Sequence, residues 1–503
     1  MPTNLLLPVF LCLPVCTNAT PADSAPAVVV TQLAAQEDAA NGHAEALKKL
    51  LSGERTNGEG ISADDFLEHY EPGTRARVGD ASIRVALGMF SRDLPGAEIE
   101  ALRERDSNRW VLSMYSRKSG MGAEFDMTLE AAEPHRLLGL NARLVQGNPV
   151  IAELVDGMGP EEMASALDRI VGDMAAEDRF SGAVLLARDG EPFYEKAWGL
   201  ASRRFDVPNR VDTRFNLGSM NKMFTALAIC QLQEAGKLEF SDKLSAHLPN
   251  YPNADVSEQI SIHQLLTHTS GLGDFWGAMS EVDWTTLRTP ADHLPLFAND
   301  PLQFKPGERF SYSNAGFLVL GLVVEEISGM DYFDYVREHI YEPAGMTSTD
   351  SWHMDEPVKN LAIGYTRAGA DGHDEGGPLR NNYYLHRARG GPAGGGFSTV
   401  GDLNRFGLAL LNSDLLSLEG VQNLLGGKVN MGWGDGGRYC YGFISKNQEG
   451  HESVGHSGGA PGINASFRMF PADGYTLVVL TNCDGAASYV GGRIEEMIRR
   501  SDK

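Results

Sequence analysis

The chain has 503 residues, room for two to four domains at about 150 residues each. Hydrophobic residues make up 42% and charged residues 22%, the range of ordinary globular chains. Lys+Arg 43 against Asp+Glu 67 gives a net charge of −24 without long acidic runs, which excludes the basic surface that nucleic-acid binding requires.

At the N-terminus, Leu5-Leu6-Leu7-Pro8-Val9-Phe10-Leu11-Cys12-Leu13-Pro14-Val15-Cys16 is apolar but too short to span a bilayer. With Thr17-Asn18-Ala19 as a small-residue cleavage site, residues 1–19 read as a secretory signal peptide and the chain as exported. No Lys or Arg precedes the run, and two prolines interrupt it. No other stretch approaches transmembrane length, so no integral span is expected. Residues 20–36, rich in Ala, Pro, Thr and Ser, read as a flexible linker. Residues 37–146 show helical patterns first, at Glu45–Leu51 and Ala63–His69. Strand patterns follow at Trp110–Tyr115, at Phe125, Met127 and Leu129, and at Leu137–Leu144, which predicts a small α+β unit. By pattern it resembles cystatin-like or NTF2-like modules and is read as a packing or partner-binding unit. Gly147-Asn148-Pro149 opens a second linker, 147–165.

Beyond it, Ser181–Arg188, the turn Asp189-Gly190 and Glu191–Gly199 predict a hairpin. Ala465–Phe470 and Tyr475–Asn482 predict another pair of strands, and Ser488–Arg500 a last helix. One antiparallel sheet is therefore expected from both ends of residues 166–503, with a largely helical stretch inserted between. Five cysteines, at 12, 16, 230, 440 and 483, are too scattered for a disulfide framework or a zinc knuckle.

Three separated motifs carry the chemistry. Ser219-Met220-Asn221-Lys222 is the only Ser-x-x-Lys and opens an apolar helical run stopped by Gly236. Ser219 is then expected at a helix N-terminus, with Lys222 on its face. A lysine in that apolar setting loses hydration, and the lowered pKa lets it take a proton from a hydroxyl. Tyr312-Ser313-Asn314 precedes the run Ala315–Ser328. A phenol acts as a base near neutral pH only beside positive charge, which a Lys222 ammonium would supply. Asn314 offers a substrate amide both donor and acceptor. Tyr251-Pro252-Asn253 repeats the spacing inside a Pro- and Asn-rich turn and is read as structural. The third motif is His456-Ser457-Gly458-Gly459, a glycine-rich edge that a substrate backbone can approach. Gly459 N–H and Ser219 N–H are expected to form an oxyanion site. Gly455-His456-Ser457-Gly458-Gly459 also matches the G-x-S-x-G elbow of α/β-hydrolases, but no histidine follows Ser457, so that reading fails on chain order.

Taken in order, Ser219-x-x-Lys222, Tyr312-x-Asn314 and His456-x-Gly458 resemble the serine β-lactamase and penicillin-binding protein superfamily. Leu265–Leu272, Phe304–Gly307 and Ala393–Thr399 agree with its class C β-lactamase-like branch, and the resemblance covers about 166–503. It implies an α+β, β-lactamase/transpeptidase-like fold with Ser219 as acylated nucleophile, Lys222 as activator and Tyr312 as general base and acid. Asn314, His456, Gly458 and Gly459 would contact substrate, with neither metal nor cofactor. His268 reads as a structural turn residue. Where many β-lactamases carry Lys-Thr-Gly this chain has His456, a group without fixed charge at pH 7. His-x-Gly variants of this superfamily are linked with D-peptidases and esterases, so the resemblance implies small esters or D-amino-acid peptides as substrates, with a β-lactamase or a non-catalytic binding or cell-wall-associated protein as alternatives.

Overall fold

The computed structural model describes residues 26–501 except 53–61, 79, 81–82, 84–86, 88–93, 95, 107, 117–120, 147–156, 276–281, 368–377 and 433–436. The expected signal segment and much of the second linker lie outside the described residues. Among the described residues no helix is long and apolar enough to cross a membrane. The chain divides into two compact units, one up to Glu153 and one from Leu154 to Lys503.

The first unit has helices α1 (Pro26–Ser52), α2 (Ala63–Leu67) and α3 (Pro72–Val78). A four-stranded antiparallel meander follows, β1 (Glu98–Asp106), β2 (Arg109–Ser116), β3 (Met121–Leu129) and β4 (Leu137–Gln146). Ser62 and Asp65 form a capping box that starts α2. Leu47, Phe66, Leu112, Met114, Phe125 and Leu137 belong to one buried cluster, so the helices and alternate strand positions share a core. Two boundaries change. Helix α1 begins at Pro26, inside the stretch 20–36 expected as flexible linker, and the next helix begins at Pro160, inside the expected linker 147–165.

The second unit is built on an eight-stranded antiparallel sheet. After α4 (Pro160–Ala176) come β5 (Gly182–Arg188) and β6 (Glu191–Trp198). The other six strands are C-terminal: β7 (Val429–Asn430), β8 (Arg438–Tyr439), β9 (Ile444–Gln448), β10 (His451–Ala460), β11 (Ile463–Phe470) and β12 (Tyr475–Thr481). The order is β7-β8-β9-β10-β11-β12-β5-β6, so the two ends of this unit meet where β12 pairs β5. Both central strands carry unbroken apolar stretches, Ala183–Ala187 and Leu477–Leu480, because both faces are covered. Val184, Leu186, Leu477 and Val479 pack with α4 and the terminal helix α8 (Ala486–Ser501). Ala183, Leu185, Val478 and Leu480 join the larger core of the inserted helices. Those include α5 (Asn221–Glu234), α6 (Asn314–Ser328) and α7 (Val400–Leu411). Helix α5 buries every residue from Asn221 to Cys230, as its all-round apolar sequence requires.

Candidate active site

Ser219 lies in a single 3₁₀ turn, Gly218–Met220, that feeds directly into α5. The turn is packed against the glycine-rich part of β10. Gly218 has φ +52°, and a Cβ there would stand 2.8 Å from Gly459 N. A Cβ on Gly458 would stand 1.9 Å from Leu217 O. No side chain fits at either place, which is why both positions are glycine. Along β10 the two-residue turns at either end set the alternation: odd residues bond toward β9 and even ones toward β11. Strand β9 stops opposite Gly455, so the backbone of Ser457 and Gly459 faces an open edge beside the Ser219 turn. On the other side, Leu217 N–H donates to Gly396 O at 2.7 Å and Gly395 N–H to Gly218 O at 3.0 Å. Asn221 holds the same loop through Gly396 N–H and Gly391 O.

Lys222 is completely buried. Its Nζ donates to Asn314 Oδ1 at 2.7 Å and to Ala393 O at 2.5 Å, with the Tyr312 ring 4.7 Å and the Phe317 ring 5.6 Å away. Burial holds its pKa well below the ordinary lysine value; Asp274 opposes that and Arg387 adds to it. The Tyr312 hydroxyl is hydrogen-bonded to Ser219. Ser219, Lys222, Tyr312 and Asn314, from two stretches of chain, thus meet at one place.

Burial sets the charge of the site. Burial pulls the Lys222 pKa well below the ordinary lysine value, which favours its neutral amine, and burial of Tyr312 itself raises the phenol pKa, so the phenol stays protonated. His456, expected at the site's third wall without fixed charge at pH 7, lies behind Tyr312. It is buried, with Nδ1 donating to Ser457 O at 2.6 Å and Nε2 accepting from the Tyr439 hydroxyl at 3.4 Å. Burial drops its pKa to about 3, so it is neutral across the physiological range. Its ring backs Tyr312 at 6.5 Å rather than offering charge to a substrate.

His268 occupies a turn position, φ +57°, and its ring lies 4.3 Å from Tyr312 and 4.5 Å from Tyr439. Its Nδ1 accepts from Ser313 N–H at 3.1 Å, fixing the loop before α6. Tyr251 is a core residue and Asn253 caps a short helix through Val256 N–H, so that repeat of the spacing is structural. Ser457 is exposed in mid-strand, not on a strand-to-helix elbow. Sequence reasoning missed Asp274 and Arg387. Asp274 Oδ2 accepts from both Asn314 N–H, at 2.9 Å, and Asn314 Nδ2, at 2.8 Å. Arg387 donates to Gly394 O at 3.2 Å. The one available signal was the placement of Asp274 two residues beyond the quoted Leu265–Leu272 segment.

The sheet with its inserted helices, and a buried lysine beside a serine and a tyrosine, define a serine hydrolase of the β-lactamase and penicillin-binding type. The beta-lactamase family model matches residues 167–498, and the chain belongs to that family. It is 31% identical over 337 residues to Penicillin-binding protein 4* of Bacillus subtilis (strain 168), covering 64% of this chain and 72% of the relative. It is 39% identical over 218 residues to Esterase EstB of Burkholderia gladioli, covering 40% of this chain and 55% of the relative. Among solved structures, the penicillin binding protein from Bacillus halodurans superposes with a TM-score of 0.59 at 35% identity, covering 66% of this chain and 98% of that one.

Proposed function

We propose that the protein hydrolyses small esters, or amides of the D-amino-acid peptide kind, through an acyl-enzyme on Ser219. The observation that carries this is the fully buried Lys222, its pKa pulled well below the ordinary lysine value, beside a serine hydrogen-bonded to Tyr312. Lys222 Nζ takes the Ser219 proton as Oγ bonds to the substrate carbonyl carbon. The oxyanion is received by the N–H groups of Ser219 and Gly459. As the C–O or C–N bond breaks, the protonated Tyr312 hydroxyl gives its proton to the leaving group and is resupplied from Lys222. Water then repeats the sequence in reverse to release the acid. Neutral His456 supplies no fixed charge for a β-lactam carboxylate, and the resemblance to a named esterase supports uncharged esters. The apolar run at residues 5–16 supports action outside the cytoplasm, and the first unit is read as a packing or partner-binding module.

A fluorescent serine-directed phosphonate tests the assignment. Ser219→Ala and Lys222→Ala should each abolish labelling and turnover, since residues acting as a unit lose their effect together. Ser457→Ala should keep both. A labelled peptide containing Ser457, or no label on the wild type, would reject the reading, the latter in favour of a binding protein. A screen of esters, D-peptides and a chromogenic cephalosporin then orders the substrates.

A further inference from the structure

Asp274 has no role in the reaction as written, yet it is the acidic group whose charge acts on Lys222. Its Oδ1 accepts from Phe275 N–H at 2.8 Å and its Oδ2 from the two Asn314 donors. The segment carrying it is clamped to the start of α6, because Ser313 Oγ donates to Gly273 O at 2.7 Å. Helix α6 already has a side-chain cap, Ser313 Oγ accepting from Gly316 N–H, so Asp274 is not needed to cap it.

A carboxylate only accepts, so the Asn314 amide must turn its NH₂ toward Asp274 and its oxygen toward Lys222. That oxygen and Ala393 O are both acceptors, 2.7 and 2.5 Å from Lys222 Nζ. In the neutral form that can act as base, the Lys222 amine has two N–H bonds and one lone pair. Both N–H bonds are therefore committed, and the lone pair is what remains to face a third partner. We propose that Asp274 is a positioning residue for this hydrolase: it locks the Asn314 amide with its oxygen toward Lys222, and so presents the Lys222 lone pair to Ser219. The proposal rests on the reading that Lys222 activates Ser219.

A second consequence concerns pH. The groups facing Lys222 are the protonated Tyr312, the neutral His268 and His456, the Arg387 guanidinium and the Asp274 carboxylate. Asp274 is the only one whose charge favours the ammonium, against burial and Arg387. Lys222 must be neutral to act as base, so the rate rises with pH through its pKa. Removing the Asp274 charge lowers that pKa, and the acid limb moves to lower pH.

The experiment uses the full-length protein with a p-nitrophenyl ester and the phosphonate label. Asp274→Asn keeps the shape but lets the Asn314 amide turn either way. It should lower kcat/KM by about 10²-fold, mostly in kcat, the effect of a misplaced catalytic group. Its acid limb should move to lower pH. Asp274→Glu, which keeps the charge and displaces the oxygens, should lower kcat with the limb in place. In an Asn314→Ala background, Asp274→Asn should cost less than about threefold, because nothing is left to orient. A labelled wild type with Asp274→Asn unchanged in rate and limb overturns this proposal alone, as does a large loss with an unmoved limb and a lowered Tm, which marks a structural role. If Asp274→Asn does not fold, Asp274→Glu decides, and an unchanged kcat there overturns it. An unlabelled wild type overturns the hydrolase reading, and the positioning role falls with it.

Discussion

Gly458→Ala tests the packing that creates the site, without touching any group assigned to the chemistry's proton transfers. A methyl at this position would sit 1.9 Å from Leu217 O and 2.8 Å from Leu217 C, against a practical minimum of 3.0 Å. Strand and nucleophile turn must therefore separate by at least about 1.1 Å. Neither side yields easily. Strand β10 is paired with β11 from Val454 to Ala460, and the turn is tied to the glycine loop through Leu217 N–H and Gly395 N–H. The displacement falls between Ser219 N–H and Gly459 N–H, the proposed oxyanion donors. A misplacement of about 1 Å costs about 10²-fold, and the loss of one such donor about 10²–10³-fold. We expect Gly458→Ala to lower the acylation rate by about 10²–10³-fold with KM little changed, measured as the burst of p-nitrophenol in single-turnover mixing. Gly492→Ala in α8, where a Cβ meets nothing within 4 Å, is the matched control and should acylate at the wild-type rate. A folded Gly458→Ala protein that acylates within threefold of wild type would refute the argument.

Tyr312→Phe keeps the ring against His268 and Lys222 but removes the proton carrier, so kcat/KM should fall by about 10²–10⁴-fold with folding retained; near-wild-type turnover would remove Tyr312 from the mechanism. Burial lowers the pKa of His293 and His386 to about 4 and of His456 to about 3. Their unfolded forms bind protons first, so the stability they contribute is complete above about 6.5 and is lost as pH falls from there toward 4 and then 3. Tm should decline over that window, His456→Gln should flatten the decline, and acidifying from pH 7.5 to 6 should bring no gain in anionic-substrate binding through His456. A chain beginning at Leu154 contains the whole second compact unit and should fold and label at Ser219; a cooperatively folded but unreactive product would show that the first unit helps build the site.

The architecture of the second unit was legible because its signals are local. Strands β5 and β12 centre on the apolar runs Ala183–Ala187 and Leu477–Leu480 beside turn residues, and Asp189 and Gly190 both adopt the left-handed backbone that an Asp-Gly hairpin turn demands. Ser219, Lys222, Tyr312 and Asn314 were legible as motifs ahead of apolar helices, and those helices bring them together. Strand β1 was missed because Glu98–Asp106 is an edge strand rich in charge, and register shifts break its alternation. The start of α1 was missed because an Ala-, Pro- and Thr-rich stretch carries the composition of a linker. What only the tertiary structure decided is charge state and orientation. Whether His456 titrates depends on the burial of β10, and whether Tyr312 ionises depends first on the burial of its own ring. Asp274 reaches Asn314 across forty positions of sequence, and no spacing rule connects a loop carboxylate to the amide it holds. Residue type states which protons a group is able to exchange; desolvation and hydrogen-bond partners, which come from distant segments, settle which protons it holds.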